Sequence, residues 1–84
     1  MLLSDGIQLF ILHIKKKGFV TRNTQDFYDS MMGYYAITWK LREKGIIREN
    51  GRDNRNQKVF VLTENGLEIV KDIKDMRKRM GEKI

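Results

Sequence analysis

The sequence predicts an α+β domain, mainly helical, with three helices, a β-hairpin and a C-terminal helix in that order. Three observations predict it. Ile7, Phe10, Ile11 and Ile14 recur at the i, i+3, i+4, i+7 spacing of an amphipathic helix. Two short apolar-rich runs, 46–49 and 58–62, flank a polar stretch with Asn-Gly and Asp-Asn turn signals, the pattern of a hairpin. Thr63 then stands before a final stripe of Leu67, Val70, Ile73 and Met80. With 84 residues the chain has room for one small domain, 1–84, and not two.

The first helix is expected over about 5–17. Ser4 or Asp5 caps it, Lys15, Lys16 and Lys17 complement the negative end of its dipole, and Gly18 closes it. Phe19-Val20-Thr21 reads as a very short extended piece. A second helix is expected over about 25–31, capped by Thr24, with Phe27 and Met31 facing inward. Met32-Gly33 reads as a tight turn. The third helix runs from about 34 to 44 and stops at Gly45, with Tyr34, Ile37 and Leu41 inward and Thr38 beside them. Two short helices across a tight turn outline a helix-turn-helix at about 24–44. The hairpin follows at about 46–62. The last helix occupies about 64–80, with Met76 or Arg77 completing its stripe.

Charge narrows the choice of partner. Lys and Arg number 17 against 11 Asp and Glu, giving +6 with His neutral. The excess concentrates in residues 40–58, where seven basic and three acidic residues leave +4. A localised basic excess points to a polyanion contact. Other classes are excluded. Cysteine is absent and His13 is the single histidine, so a His/Cys metal cluster cannot form. The glycines make no phosphate loop and no catalytic constellation is present, so neither an enzyme nor a cofactor is expected. No apolar run exceeds four residues, as in 9–12, far below the roughly 18–20 a membrane span requires. No signal peptide is visible, and a cytoplasmic protein is the expectation.

From Leu41 to Gly66 the sequence resembles the wing region of MarR-like and PadR-like winged helix-turn-helix regulators. The residues that carry the resemblance are Leu41-Arg42-Glu43-Lys44-Gly45-Ile46-Ile47-Arg48, then Asp53-Asn54-Arg55, then Val61-Leu62-Thr63-Glu64-Asn65-Gly66. They match a Leu-x-x-x-Gly-apolar-apolar-Arg helix exit, an Asp-x-Arg wing tip and a Leu-Thr-x-x-Gly helix entry. The chain is similar to a minimal version of the family, of the archaeal or viral type. The resemblance implies a DNA-binding transcription regulator, with Asp53 bracing a neighbouring arginine and Arg55 entering the minor groove.

In a helix-turn-helix the third helix enters the major groove, where every base pair presents a distinct edge. Its outward face would carry Tyr35, Ala36, Trp39, Lys40 and Glu43. Lys40 suits guanine or a phosphate, and Tyr35 a phosphate or a thymine methyl. Arg42 and Lys44 flank that face and reach the backbone. Trp39 either contacts DNA or packs against the wing or a partner subunit. Arg22, Asn23 and Thr24 start the second helix, where a phosphate is commonly held. Arg52 and Arg55 sit on the wing, where an arginine enters a narrow minor groove. Arg48 and Lys58, at the wing's two ends, complete the candidate contacts. If Phe60 and Leu62 face the core, Val59 and Val61 face outward.

A homodimer is the expected assembly, with an interface of Leu67, Val70, Ile73 and Met80 joined by Ile7, Phe10 and Ile11. A twofold axis would place two recognition helices about one DNA turn apart. The run Arg77-Lys78-Arg79 reads as a solvated face. Two other functions fit the same residues. A protein-interaction module would dock through Tyr34, Tyr35 and Trp39 or the last helix. A single-strand binder would stack bases on the same aromatics.

Overall fold

The computed structural model describes residues 5–22 and 31–81. Its elements run α1 (Asp5–Lys17), α2 (Met31–Glu43), β1 (Ile47–Arg52), β2 (Lys58–Leu62) and α3 (Glu64–Arg79). The described residues thus form a small, mainly helical α+β unit of three helices and a two-stranded antiparallel hairpin. Residues 25–30 of the expected second helix, its Thr24 cap and the Ser4 cap lie outside the described residues, and Met31 opens α2 instead.

α1 has the predicted bounds and the predicted inward face. Phe10, Ile11 and Ile14 are fully buried, and Ile7 packs at their margin. Gly18 closes the helix at φ 90°, its N–H donating to the Ile14 carbonyl at 2.7 Å. The extended piece that follows is tied to the hairpin. Val20 and Phe60 exchange both backbone hydrogen bonds at 2.9 Å, so β2 is paired on both of its sides at that point.

α2 corrects the sequence reading. It begins at Met31, so Met32-Gly33 is its first turn and not a tight turn before it. One glycine costs a helix only about 1 kcal/mol relative to alanine, too little to stop one whose later turns are well packed. Tyr34, Thr38 and Leu41 face the core at i, i+4, i+7, and Ile37 is partly buried. The Thr38 hydroxyl donates to the Tyr34 carbonyl at 3.0 Å, which satisfies it in its buried position.

The exit of α2 is a Schellman motif. Ile46 N–H donates to the Leu41 carbonyl at 2.9 Å and Gly45 N–H to the Arg42 carbonyl at 3.0 Å, with Gly45 at φ 70°. Leu41 and Ile46 are both fully buried, supplying the apolar contact that accompanies this motif. The chain then enters α3 against the same turn. Thr63 caps α3 by accepting from Gly66 N–H at 3.0 Å, while its hydroxyl donates to the Gly45 carbonyl and its own N–H to the Ile46 carbonyl. The helix exit and helix entry noted in the sequence are therefore two halves of one junction.

The hairpin departs from expectation at its tip. Ile47 pairs with Leu62, Arg48 with Val61, Glu49 with Phe60 and Arg52 with Lys58. Asn50 and Gly51 together oppose Val59, so this Asn-Gly is a β-bulge, with Gly51 at φ 78°, and β1 runs on to Arg52. The turn itself is 53–57. Asn56 N–H donates to the Asp53 carbonyl, and Asn56 sits at φ 62°.

α3 closes the core with Val70 and Ile73, both buried. Arg77 takes the next inward position, leaving Met76 43% exposed. Arg77 Nε donates to Oε1 of the buried Gln8 at 3.2 Å, a cross-link from α3 to α1. Arg77 is thus not part of a solvated basic face, because the i+7 position after Val70 lies over α1. Among the described residues no helix is long and apolar enough to cross a membrane.

Candidate functional site

Helical spacing puts Tyr35, Thr38, Trp39 and Arg42 on one stripe of α2. That stripe faces the hairpin and meets it where Arg42 lies over the Phe60 ring. Between them opens a concave groove of about 470 Å³. The α2 stripe forms one wall and Arg52, Lys58 and Phe60 the other, and Arg22 lines the groove beside Tyr35. Tyr34 lies at its floor.

The groove is cationic and aromatic. Arg22, Arg42, Arg52 and Lys58 line it, and among the described residues no carboxylate does. Arg42 stacks its guanidinium over the Phe60 ring, 5.4 Å from the centroid, which leaves the fork's edge free to bond. Arg22 Nη1 reaches Tyr35 Oη at 3.5 Å. Arg52 Nη1 donates to the Asn56 carbonyl at 2.8 Å, holding that side chain along the hairpin tip. Lys58 Nζ lies 3.5 Å from Glu49 Oε1, an exposed pair worth less than about 1 kcal/mol. Trp39 is 63% exposed and Tyr35 51%, so two aromatic side chains are presented to solvent beside these cations.

Tyr34 is different. It is 3% exposed and meets Phe10 and Tyr35 edge-on. Its buried hydroxyl has no hydrogen-bond partner among the described residues. Burial, helped by the neighbouring Tyr35, pushes its pKa up to about 12. The Tyr34 hydroxyl is therefore a neutral donor at the base of a basic groove.

The structure brings together six of the expected contact residues: Arg22, Tyr35, Trp39, Arg42, Arg52 and Lys58. Four others lie apart. Lys40 is exposed on α2 outside the groove, and Lys44 is exposed beyond the helix end, its carbonyl accepting from Asn65 Nδ2 at 3.4 Å. Arg48 pairs with Val61 on the hairpin face turned away from Phe60. Arg55 is exposed at the apex. Thr24 lies outside the described residues. Arg42 corrects its assigned place, since it turns into the groove instead of flanking it. The bracing role expected of Asp53 is met through backbone: its Oδ1 accepts from Arg55 N–H at 2.9 Å and Gln57 N–H at 2.8 Å. Thr38, Asn56, Gln57 and Phe60 also line the groove. Sequence reasoning assigned Phe60 to the core alone. The alternation of Lys58 and Phe60 on one strand face was the signal for its second role.

The expected dimer interface is corrected as well. Phe10, Ile11, Val70 and Ile73 lie at 0–4% exposure inside the chain's own core. An apolar stripe is covered by whichever element packs on it, and here α1 and α3 cover one another. Ile7 is partly buried. Leu67 at 41% and Met80 at 69% remain exposed, together with Met76.

Compared with known proteins, the chain matches no family model, no curated protein and no solved structure.

Proposed function

We propose that this chain is a winged helix-turn-helix domain that binds double-stranded DNA as a transcription regulator, similar to a minimal MarR-like or PadR-like protein. In this reading α2 is the recognition helix and the β1–β2 hairpin is the wing. The observation that carries it is the convergence of Arg22, Arg42, Arg52 and Lys58 on one groove that no carboxylate lines among the described residues. Four cations held on a concave surface match a phosphate backbone, which supplies most of the affinity in protein–DNA binding. Arg55, at the exposed apex, is the side chain that extends furthest toward a minor groove. Lys40 on the outer face of α2 is the base-edge candidate.

A second copy is the expected partner, seated on Leu67, Met76 and Met80. Sedimentation of the free chain and of a Met80→Lys variant tests this: a dimer that the variant disperses supports it, and a monomer at every concentration rejects it.

Duplex binding is tested by fluorescence anisotropy with a random-sequence duplex over a salt series. Affinity is expected to fall steeply as salt rises, and Arg55→Ala to weaken binding while the fold persists. Absence of binding at micromolar protein and low salt would reject the reading. It would favour instead a protein-interaction module, for which the exposed Trp39 is the motivating observation.

A further inference from the structure

A paired duplex offers proteins the edges of its bases and keeps their faces stacked. An indole largely open to solvent, set among cations, is shaped for the opposite case: a base whose face is free. Trp39 is such an indole. The groove beside it is about 470 Å³, within the roughly 300–1,000 Å³ range of small-molecule sites. Its polar groups are of two kinds. The guanidinium of Arg42, oriented by Phe60, and that of Arg52, held along the hairpin by the Asn56 carbonyl, are anion donors. The Tyr34 hydroxyl is a buried polar atom with no partner among the described residues, and a buried hydroxyl left unpaired costs about 1–3 kcal/mol. A ligand that supplies an acceptor at the groove floor removes that cost.

We propose that the groove between α2 and the hairpin takes one unpaired nucleotide of a DNA strand, its base stacked on Trp39, its phosphate held by Arg42 and Arg52, and a base acceptor bonded by the Tyr34 hydroxyl. This rests on the reading of the chain as a DNA binder and makes it a binder of DNA with an extrahelical or unpaired base. The four lining cations repel a cationic ligand. The three arginines separate a nucleotide from an uncharged aromatic ligand, which offers them no counter-charge.

Trp39 is the only tryptophan, so its fluorescence reports directly on the groove. Three duplexes serve as probes at one salt concentration: fully paired, with a single bulged adenosine, and with a bulged abasic site. The last two have the same backbone and charge and differ only in the base. The adenosine bulge is expected to bind about tenfold more tightly than the abasic bulge, the range base–aromatic stacking supplies, and alone to quench Trp39. Trp39→Ala should bring the two bulges to equal affinity. Tyr34→Phe, which keeps the ring, should narrow the preference severalfold without lowering the melting temperature. Equal affinity and equal quenching for the two bulges would overturn the proposal, while leaving duplex binding intact if the paired duplex still binds. Binding to none of the three would overturn both. A preference unchanged in Tyr34→Phe would remove the hydroxyl from the site.

Discussion

The α-carbon of Gly66 rests against the carbonyl oxygen of Ile46, so closely that a β-carbon there would overlap that oxygen and meet the Leu62 side chain at 3.0 Å. The obstacle is mainly backbone, and the backbone in question belongs to the turn that Thr63 also grips. Gly66→Ala must therefore push α3 away from the α2 exit. A loss of about 2–3 kcal/mol is expected, read as a shift in urea midpoint with an unchanged slope. A variant as stable as the parent would show that the junction opens freely.

Tyr34 predicts a specific alkaline limit. Its pKa stands near 12 in the folded chain, against about 10 when exposed. The unfolded chain loses this proton first, so the stabilisation is complete below pH 10 and is lost as pH rises from about 10 to 12. The amount is on the order of 2–3 kcal/mol. Tyr34→Phe has no such proton to lose. Its stability should fall less steeply than the parent's above pH 10 and equal or exceed it at pH 7, since an unpaired buried hydroxyl is gone.

Asp53 offers a test in which charge and geometry predict opposite signs. Removing an acid from a basic hairpin should raise affinity for DNA on Coulomb grounds. Its carboxylate, however, accepts the N–H groups of Arg55 and Gln57 and fixes the turn. Asp53→Ala is expected to weaken duplex binding severalfold and to shift the Arg55 and Gln57 amide resonances. A gain in affinity would mean that the turn holds its shape without the carboxylate.

The two hairpin faces should separate in salt dependence. Arg52 lines the groove, whereas Arg48 lies with Val61 on the reverse face. Arg52→Ala should reduce the slope of log K against log salt by about 1, the loss of one phosphate contact, and Arg48→Ala should leave it unchanged. Equal reductions would place the DNA on both faces.

What the sequence made legible was local. The bounds of α1 and β2, the Gly18 and Gly45 stops and the Thr63 cap all follow from signals within a few residues. Asn50-Gly51 misled because a turn and a bulge both need a residue with positive φ. Only the pairing of Arg52 with Lys58, six residues further along the chain, separates the two. Phe10, Ile11, Val70 and Ile73 misled for a similar reason. Their spacing shows that a face is covered and carries no information about whether the cover is the same chain. The candidate groove was visible only in part. Its cations stand out by type, while the turn of Arg42 onto Phe60 depends on the angle between α2 and the hairpin, which no local pattern encodes.

The paired bonds between Val20 and Phe60 have a mechanical consequence. They clamp β2 at its middle, on the side opposite β1, so the root of the hairpin moves only with the core. Beyond that clamp the ladder is interrupted at Gly51. The hairpin is therefore a cantilever whose compliant point lies between Phe60 and Arg52. Phe60 and the guanidinium stacked on it are expected to keep their place beside Trp39, while Arg52 and Arg55 move with the tip. Amide exchange should report this as slow exchange at Val20 and Phe60 and faster exchange at Asn54. One jaw of the groove is rigid and the other adjusts, an arrangement that grips strands of differing width with the same set of cations.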